Sequence, residues 1–194
     1  MAVLLPEPLR QALGAEIERL RAEARGVGWV ATENLHVTLK FLGAVEPARL
    51  ERVAEALAGL AAEAAPFDLG LRGVGAFPTP TRPRVIWAGV APGGPALAGL
   101  AARVDDALGA LAFAREGRPF AAHVTLGRVR QPRRDPALTA ALAAGVERDF
   151  GGFRVERLAL MRSDLSPKGA RYTALGSWPL GGLGPPAAVA VSRH

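Results

Sequence analysis

A chain of 194 residues is long enough to bury a substantial core, either as one domain with two lobes or as two very small domains. It has no cysteine, which excludes disulfides, thiolate metal sites and cysteine nucleophiles. Met1 to Glu7 lacks the pattern of a secretory signal, and no apolar run approaches the ~18 residues needed to span a bilayer. The expectation is therefore a cytoplasmic protein with no membrane contact. A formal net charge of +6, carried almost wholly by arginine, admits an acidic partner such as nucleic acid, although a GC-rich genome would also favour Ala, Gly, Pro and Arg.

In chain order, Pro8 to Arg25 carries Leu9, Leu13, Ile17 and Leu20 at helical spacing. Asn34 to Leu42 reads as a strand that Gly43 stops, and Pro47 to Ala64 as an amphipathic helix. Phe67 to Phe77 and Arg84 to Val90 are strands separated by a turn rich in proline. Pro95 to Ala112 returns to helical spacing with Leu97, Leu100, Val104, Leu108 and Leu111. Ala122 to Leu126 is a further strand. A helix is expected from about Asp135, with Pro136 in its first turn, to Ala144, and Gly145 ends it. Phe153 to Met161 and Arg171 to Ser177 are the last strands. Gly181 to His194 is rich in Gly, Pro and Ala and reads as a flexible tail.

Two of these strands carry the same tetrapeptide, His36-Val37-Thr38-Leu39 and His123-Val124-Thr125-Leu126, in a chain whose third and last histidine is His194. Chance would produce that repeat once in ~10⁴ such chains. Residues two apart in a strand share a face, so each histidine lies beside its threonine while valine and leucine turn to a core. Shifting the elements around the first motif by the spacing of the two histidines finds those around the second. The economical inference is a duplicated unit, about 1–90 and 91–180, forming one domain over 1–180. The fold class is α+β, with two pseudo-symmetric lobes that create a cleft with the motifs opposed across it.

Histidine titrates near neutrality, so one of a pair can remove a proton while the other delivers one. A phosphodiester suits this, because in-line displacement needs proton transfers on opposite sides of phosphorus. The threonine hydroxyls would hold non-bridging oxygens, and Arg128 is the natural cation. Either motif alone would read as structure, since a single buried histidine is usually a hydrogen-bonded core residue; the matched pair points to catalysis. Metal binding would need further ligands, and only isolated carboxylates such as Glu33 are at hand. Arg130, Arg133 and Arg134 form the densest basic run, which reads most simply as a solvated helix start.

The stretches Asn34 to Gly43, Ala122 to Arg128 and Arg171 to Leu180 resemble the 2H phosphoesterase superfamily. Within it the chain is most similar to the RNA 2′,3′-cyclic phosphodiesterases, also labelled 2′-5′ RNA ligases. Relatives often place proline where Ala122 precedes the second motif. The resemblance implies that each lobe is an antiparallel sheet packed with helices and that the active site lies in the cleft between them. The resemblance implies hydrolysis of a terminal 2′,3′-cyclic phosphate to a 2′-phosphomonoester, without metal or cofactor. It implies that His36 protonates the departing O3′, that His123 activates water, and that Thr38, Thr125 and Arg128 hold the phosphate. Phe41 and Tyr172 are further candidates for substrate contact. Plain alternation sends Phe41 to the core, whereas a bend before Gly43 would turn its ring toward a base. Ser163 and Lys168 lie in the loop between the last strands. The expected partner is RNA with 2′,3′-cyclic phosphate ends, acted on by a monomer with no obligate protein partner. Alternatives are ATP-independent 2′-5′ ligation in the same site, or a non-catalytic RNA-binding module.

Overall fold

Each of the four α-helices among the described residues begins where a proline sits in its first turn: α1 (Glu7–Glu23), α2 (Pro47–Glu63), α3 (Gly94–Gly109) and α4 (Pro136–Ala144). Proline costs nothing there, because the first amides of a helix have no intrahelical acceptor and the ring presets φ. Asp135 caps α4, its carboxylate accepting from the Leu138 amide at 3.1 Å. The computed structural model describes residues 1–166 and 169–182. Lys168 and the expected tail beyond Gly182 lie outside the described residues, the last of which, Leu180–Gly182, form a short 3₁₀ turn. Among the described residues no helix is long and apolar enough to cross a membrane.

The strands are β1 (Ala2–Leu4), β2 (Val27–Trp29), β3 (His36–Thr38), β4 (Phe67–Phe77), β5 (Val85–Val90), β6 (His123–Val129), β7 (Asp149–Val155), β8 (Arg157–Ser166) and β9 (Gly169–Pro179). They form one antiparallel sheet in the order β7-β4-β5-β6-β3-β1-β8-β9, with β2 also paired to β6. Helices α1 and α4 pack together beside β4 and β7, while α2 packs on α3, β8 and β9. The architecture is α+β, as expected. The two groups of strands meet at a single seam, where Val37 of β3 pairs with Val124 of β6.

Three departures from the sequence reading have physical causes. The expected strand from Phe153 to Met161 is two strands, broken at Glu156, because β7 pairs with β4 and β8 pairs with β1 and β9. Strand β7 is one edge of the pairing order and β8 lies beside the opposite edge strand, β9, yet one residue joins them. Two peptide units reach at most about 7 Å, so the sheet must curl far enough to bring the end of β7 to the start of β8. The first motif strand is shorter than Asn34 to Leu42, because the amides of Leu39 and Lys40 both turn to the Met1 carbonyl, at 2.8 and 3.5 Å. Strands β1 and β2 are only three residues each, too short to show a period.

The end of the first motif is fastened by charge. Lys40 is 2 % exposed; its ammonium is ion-paired with Asp105 of α3 and donates to the Ala114 carbonyl at 2.6 Å. The Asp105 carboxylate also accepts from the Glu116 amide at 3.2 Å. One pair thus ties β3, α3 and the segment leading to β6. Bonding to Lys40 holds the Asp105 carboxyl below its ordinary pKa, so this contribution is present above ~3.9 and fades as pH falls through the lower folded value. Removing the carboxylate strands a buried ammonium, which costs about 3–5 kcal/mol. Asp105→Ala should lower the denaturation midpoint accordingly at pH 7, and the deficit should shrink below pH ~4; a neutral effect at pH 7 would refute this role.

Candidate active site

The antiparallel pairing of Val37 with Val124 sets His36 opposite Thr125 and Thr38 opposite His123. Four polar side chains thus form a square on one face, with the histidines on a diagonal of roughly 7–8 Å. The other face of both motifs is core: Val37, Val124 and Leu126 are fully buried. The two motifs are therefore neighbours on the floor of the cleft, joined by the sheet itself.

Each imidazole is oriented the same way. His36 Nδ1 bonds the Asn34 carbonyl and His123 Nδ1 the Ala121 carbonyl, both at 2.7 Å. A carbonyl only accepts, so Nδ1 carries the proton in both rings and Nε2 is left for chemistry. His36 Nε2 lies 3.1 Å from Thr38 Oγ1, which donates to it while the ring is neutral. Burial pushes the His36 pKa below its ordinary 6.5, against the opposing pull of the Asn34 carbonyl. Aromatic edges pack on both rings. Tyr172 meets His36 at 4.8 Å between centroids and 64°, and Phe77 meets His123 at 5.2 Å and 88°.

A strict alternation along β6 would send Arg128 to the core with Val124 and Leu126. It reaches the cleft because the ladder with β5 slips: Ile86 pairs with Gly127 but Trp87 with Thr125. Leu126 is thus an extra residue in β6, a bulge that inverts the parity beyond it. Arg128 then joins His123 and Thr125 on one face and lines the same cavity. Gly127 makes the bulge possible, since a Cβ there would stand 2.8 Å from the Trp29 and Val27 side chains.

All seven residues singled out from the sequence, His36, Thr38, Phe41, His123, Thr125, Arg128 and Tyr172, line one cavity of about 420 Å³. Phe41 is 69 % exposed, since the chain leaves the sheet after Thr38 and plain alternation no longer applies. Ser163 pairs with Tyr172 in the β8–β9 ladder and does not line the cavity. The cavity is also lined by Ala98, Ala101 and Ala102 of α3 and by Glu116, Arg118 and Phe120. None of these was found from the sequence, nor was Phe77; their only signal was helix periodicity or strand aromaticity, which marks core equally well. Among the described residues no three His, Asp or Glu side chains converge to hold a metal.

A curled antiparallel sheet with two identical histidine-threonine strands paired at its centre defines a class of phosphoester-processing scaffold, and comparison with known proteins agrees. The family model "LigT like Phosphoesterase" matches residues 3–87 and again 89–172. A protein of Archaeoglobus fulgidus named RNA 2′,3′-cyclic phosphodiesterase is 37% identical over 175 residues, covering 90% of this chain and 96% of its own. One of the same name from Thermus thermophilus is 40% identical over 185 residues, 93% of this chain and 89% of its own. The crystal structure of a Thermus thermophilus protein superposes with a TM-score of 0.77 at 34% identity, over 94% of this chain and 97% of that one. Escherichia coli LigT complexed with 3′-AMP superposes with a TM-score of 0.73 at 25% identity, over 92% and 95%. The chain belongs to the LigT-like phosphoesterase family. It is a phosphodiesterase.

The bulge generates a test. Gly127→Ala forces β2 and β6 apart and should cost about 1–3 kcal/mol, read as a lower unfolding midpoint, and should weaken inorganic phosphate binding by displacing Arg128. Gly99→Ala is the control: it sits in open space on α3, where alanine favours the helix. Equal behaviour of the two variants would contradict the geometry.

Proposed function

We propose that this enzyme hydrolyses RNA terminal 2′,3′-cyclic phosphate to a 2′-phosphomonoester by proton transfer between its two histidines. The observation that carries this reading is the Val37–Val124 pairing, which aims two Nδ1-anchored imidazoles into one cavity from a diagonal. The names of the relatives support the substrate. The successive family matches support the further proposal that one domain over 1–180 arose from a duplicated unit.

In the proposed step the cyclic phosphate sits over the square formed by the two motifs. Thr38 and Thr125 donate to non-bridging oxygens and the Arg128 guanidinium neutralises the charge that builds there. Water attacks phosphorus on the His123 side and gives its proton to His123 Nε2. The P–O3′ bond breaks, and the departing O3′ takes the proton of His36 Nε2. The products are a free 3′-hydroxyl and a 2′-phosphomonoester, and exchange of one proton through water resets the pair. Tyr172 and Phe77 keep the rings from rotating. Phe41 offers its exposed face to the terminal base, a contact that tolerates any base.

Burial disfavours the imidazolium of His36 in the open cleft, and a bound phosphate anion restores it. With His36 as acid, kcat/KM should fall as pH rises through a value below 6.5, while the alkaline limb of kcat lies at higher pH, because the two parameters report free and bound enzyme. A His36-dependent limb on the acidic side would exchange the two roles.

The direct test is a short RNA with a 2′,3′-cyclic phosphate end, incubated in EDTA without ATP. The parent should yield a 2′-phosphate end, and His36→Ala and His123→Ala should each be slower by ~10²–10⁴. Binding without conversion by the parent would refute the hydrolytic reading.

A further inference from the structure

Six arginines, Arg25, Arg84, Arg128, Arg130, Arg133 and Arg134, gather at one corner of the sheet, with Arg82 and Asp135 beside them in the chain. The backbone bonds define the corner. Val129 pairs with Val27, and its amide bonds the Arg84 carbonyl at 2.9 Å; the Arg130 amide bonds the Gly26 carbonyl at 3.0 Å. Arg25 precedes Gly26 in the chain, and Arg133 and Arg134 follow in the loop that leads to α4. All six are exposed, and none has an ion-pair partner among the described residues.

This corner is continuous with the active site. Arg128 lines the cavity, and the same bulge that turns it there places Arg130, two residues on, on the same face about 6.7 Å farther from the histidines. The Arg130 side chain lies over Gly28, its Nε 4.0 Å from where a Cβ would stand, so the missing side chain leaves that face open. The chain therefore presents unneutralised guanidinium groups at a strand repeat, leading outward from the phosphate position. Unpaired arginines at such spacing meet successive phosphates of a flexible strand.

We propose that this corner, from Arg130 to Arg133 and Arg134, binds the phosphodiester backbone of the RNA chain leading to the terminal cyclic phosphate. The assignment rests on the RNA-end reading above and extends it: the substrate is an oligoribonucleotide end, and a cyclic mononucleotide fills only the inner cavity. Recognition there is of phosphate charge, without reading of base identity.

The test compares the parent with an Arg130→Gln/Arg133→Gln/Arg134→Gln variant and with Arg130→Gln alone. Substrates are a 2′,3′-cyclic mononucleotide and a short oligoribonucleotide with the same end. The parent should show the lower KM for the oligomer. The triple variant should raise that KM about tenfold or more with kcat held, keep its kinetics on the mononucleotide, and flatten the logarithmic salt dependence by about 0.7 for each phosphate no longer engaged. The single variant should show the same selectivity in smaller measure. Equal losses on both substrates, or no preference of the parent for the oligomer, would overturn the proposal. Binding of an RNA that ends in an ordinary 3′-hydroxyl, followed by fluorescence anisotropy, separates this from the catalytic reading. If neither substrate is hydrolysed but this RNA binds the parent and not the triple variant, the corner stands and the hydrolytic assignment falls. If the RNA binds both alike, the corner falls whatever the chemistry.

Discussion

The pairing of Val37 with Val124 is the constraint on which the cleft depends. Antiparallel strands of identical sequence, paired at their shared central residue, acquire a local two-fold axis between the two valines. That axis places each histidine opposite the other motif's threonine, and it aims both imidazoles from opposite corners of a square. The reverse faces of the same strands are buried, and fully burying one such aliphatic side chain is worth about 1.5–3 kcal/mol. The polar floor is therefore held flat by the packing beneath it. A histidine in a loop would have to be ordered at its own entropic cost; here the sheet has already met that cost.

Around this rigid centre, the useful side chains reach the cleft where the strand rules fail. Chain departure after Thr38 exposes Phe41 and buries Lys40, whose pairing with Asp105 secures the cavity's far wall. The bulge at Leu126 turns Arg128 out of the core. Both irregularities begin at the fourth residue of a motif, so His36, Thr38, His123 and Thr125 stay on regular strand while Phe41 and Arg128 lie beyond the breaks. Bulges beside active sites serve this purpose, re-aiming one side chain without disturbing the ladder on either side. The aromatic edges of Tyr172 and Phe77 add a second restraint on the imidazoles, one ring from each side of the seam.

The sequence halves do not coincide with the spatial ones. Strands β1 and β3 from the first half lie with β8 and β9, and β4 and β5 lie with β6 and β7. The chain crosses the seam repeatedly, and the one-residue link at Glu156 joins β7, one edge of the curled sheet, to β8, the strand beside the other edge. Neither half can therefore complete its own sheet without strands from the other. The cleft forms only when both have folded.

Much of the site was legible in the chain alone. A tetrapeptide repeated around two of three histidines, each on a strand with one polar face, identified His36 and His123 as the candidate pair with Thr38 and Thr125 beside them, because strand periodicity is local and fixes which side chains share a face. Helix starts were legible for the same reason: proline and Asp135 act within one turn. What the sequence did not contain was the register between distant strands. That the motifs are neighbours, that β7 and β8 part company at Glu156, that Arg128 escapes the core, and that Phe77, Phe120 and the alanines of α3 complete the cavity all follow from pairings across long stretches of chain. Local pattern decides which face a residue takes in an unbroken strand. Only tertiary pairing decides where the strand breaks, what lies opposite, and which of many similar apolar side chains border a cavity rather than fill a core.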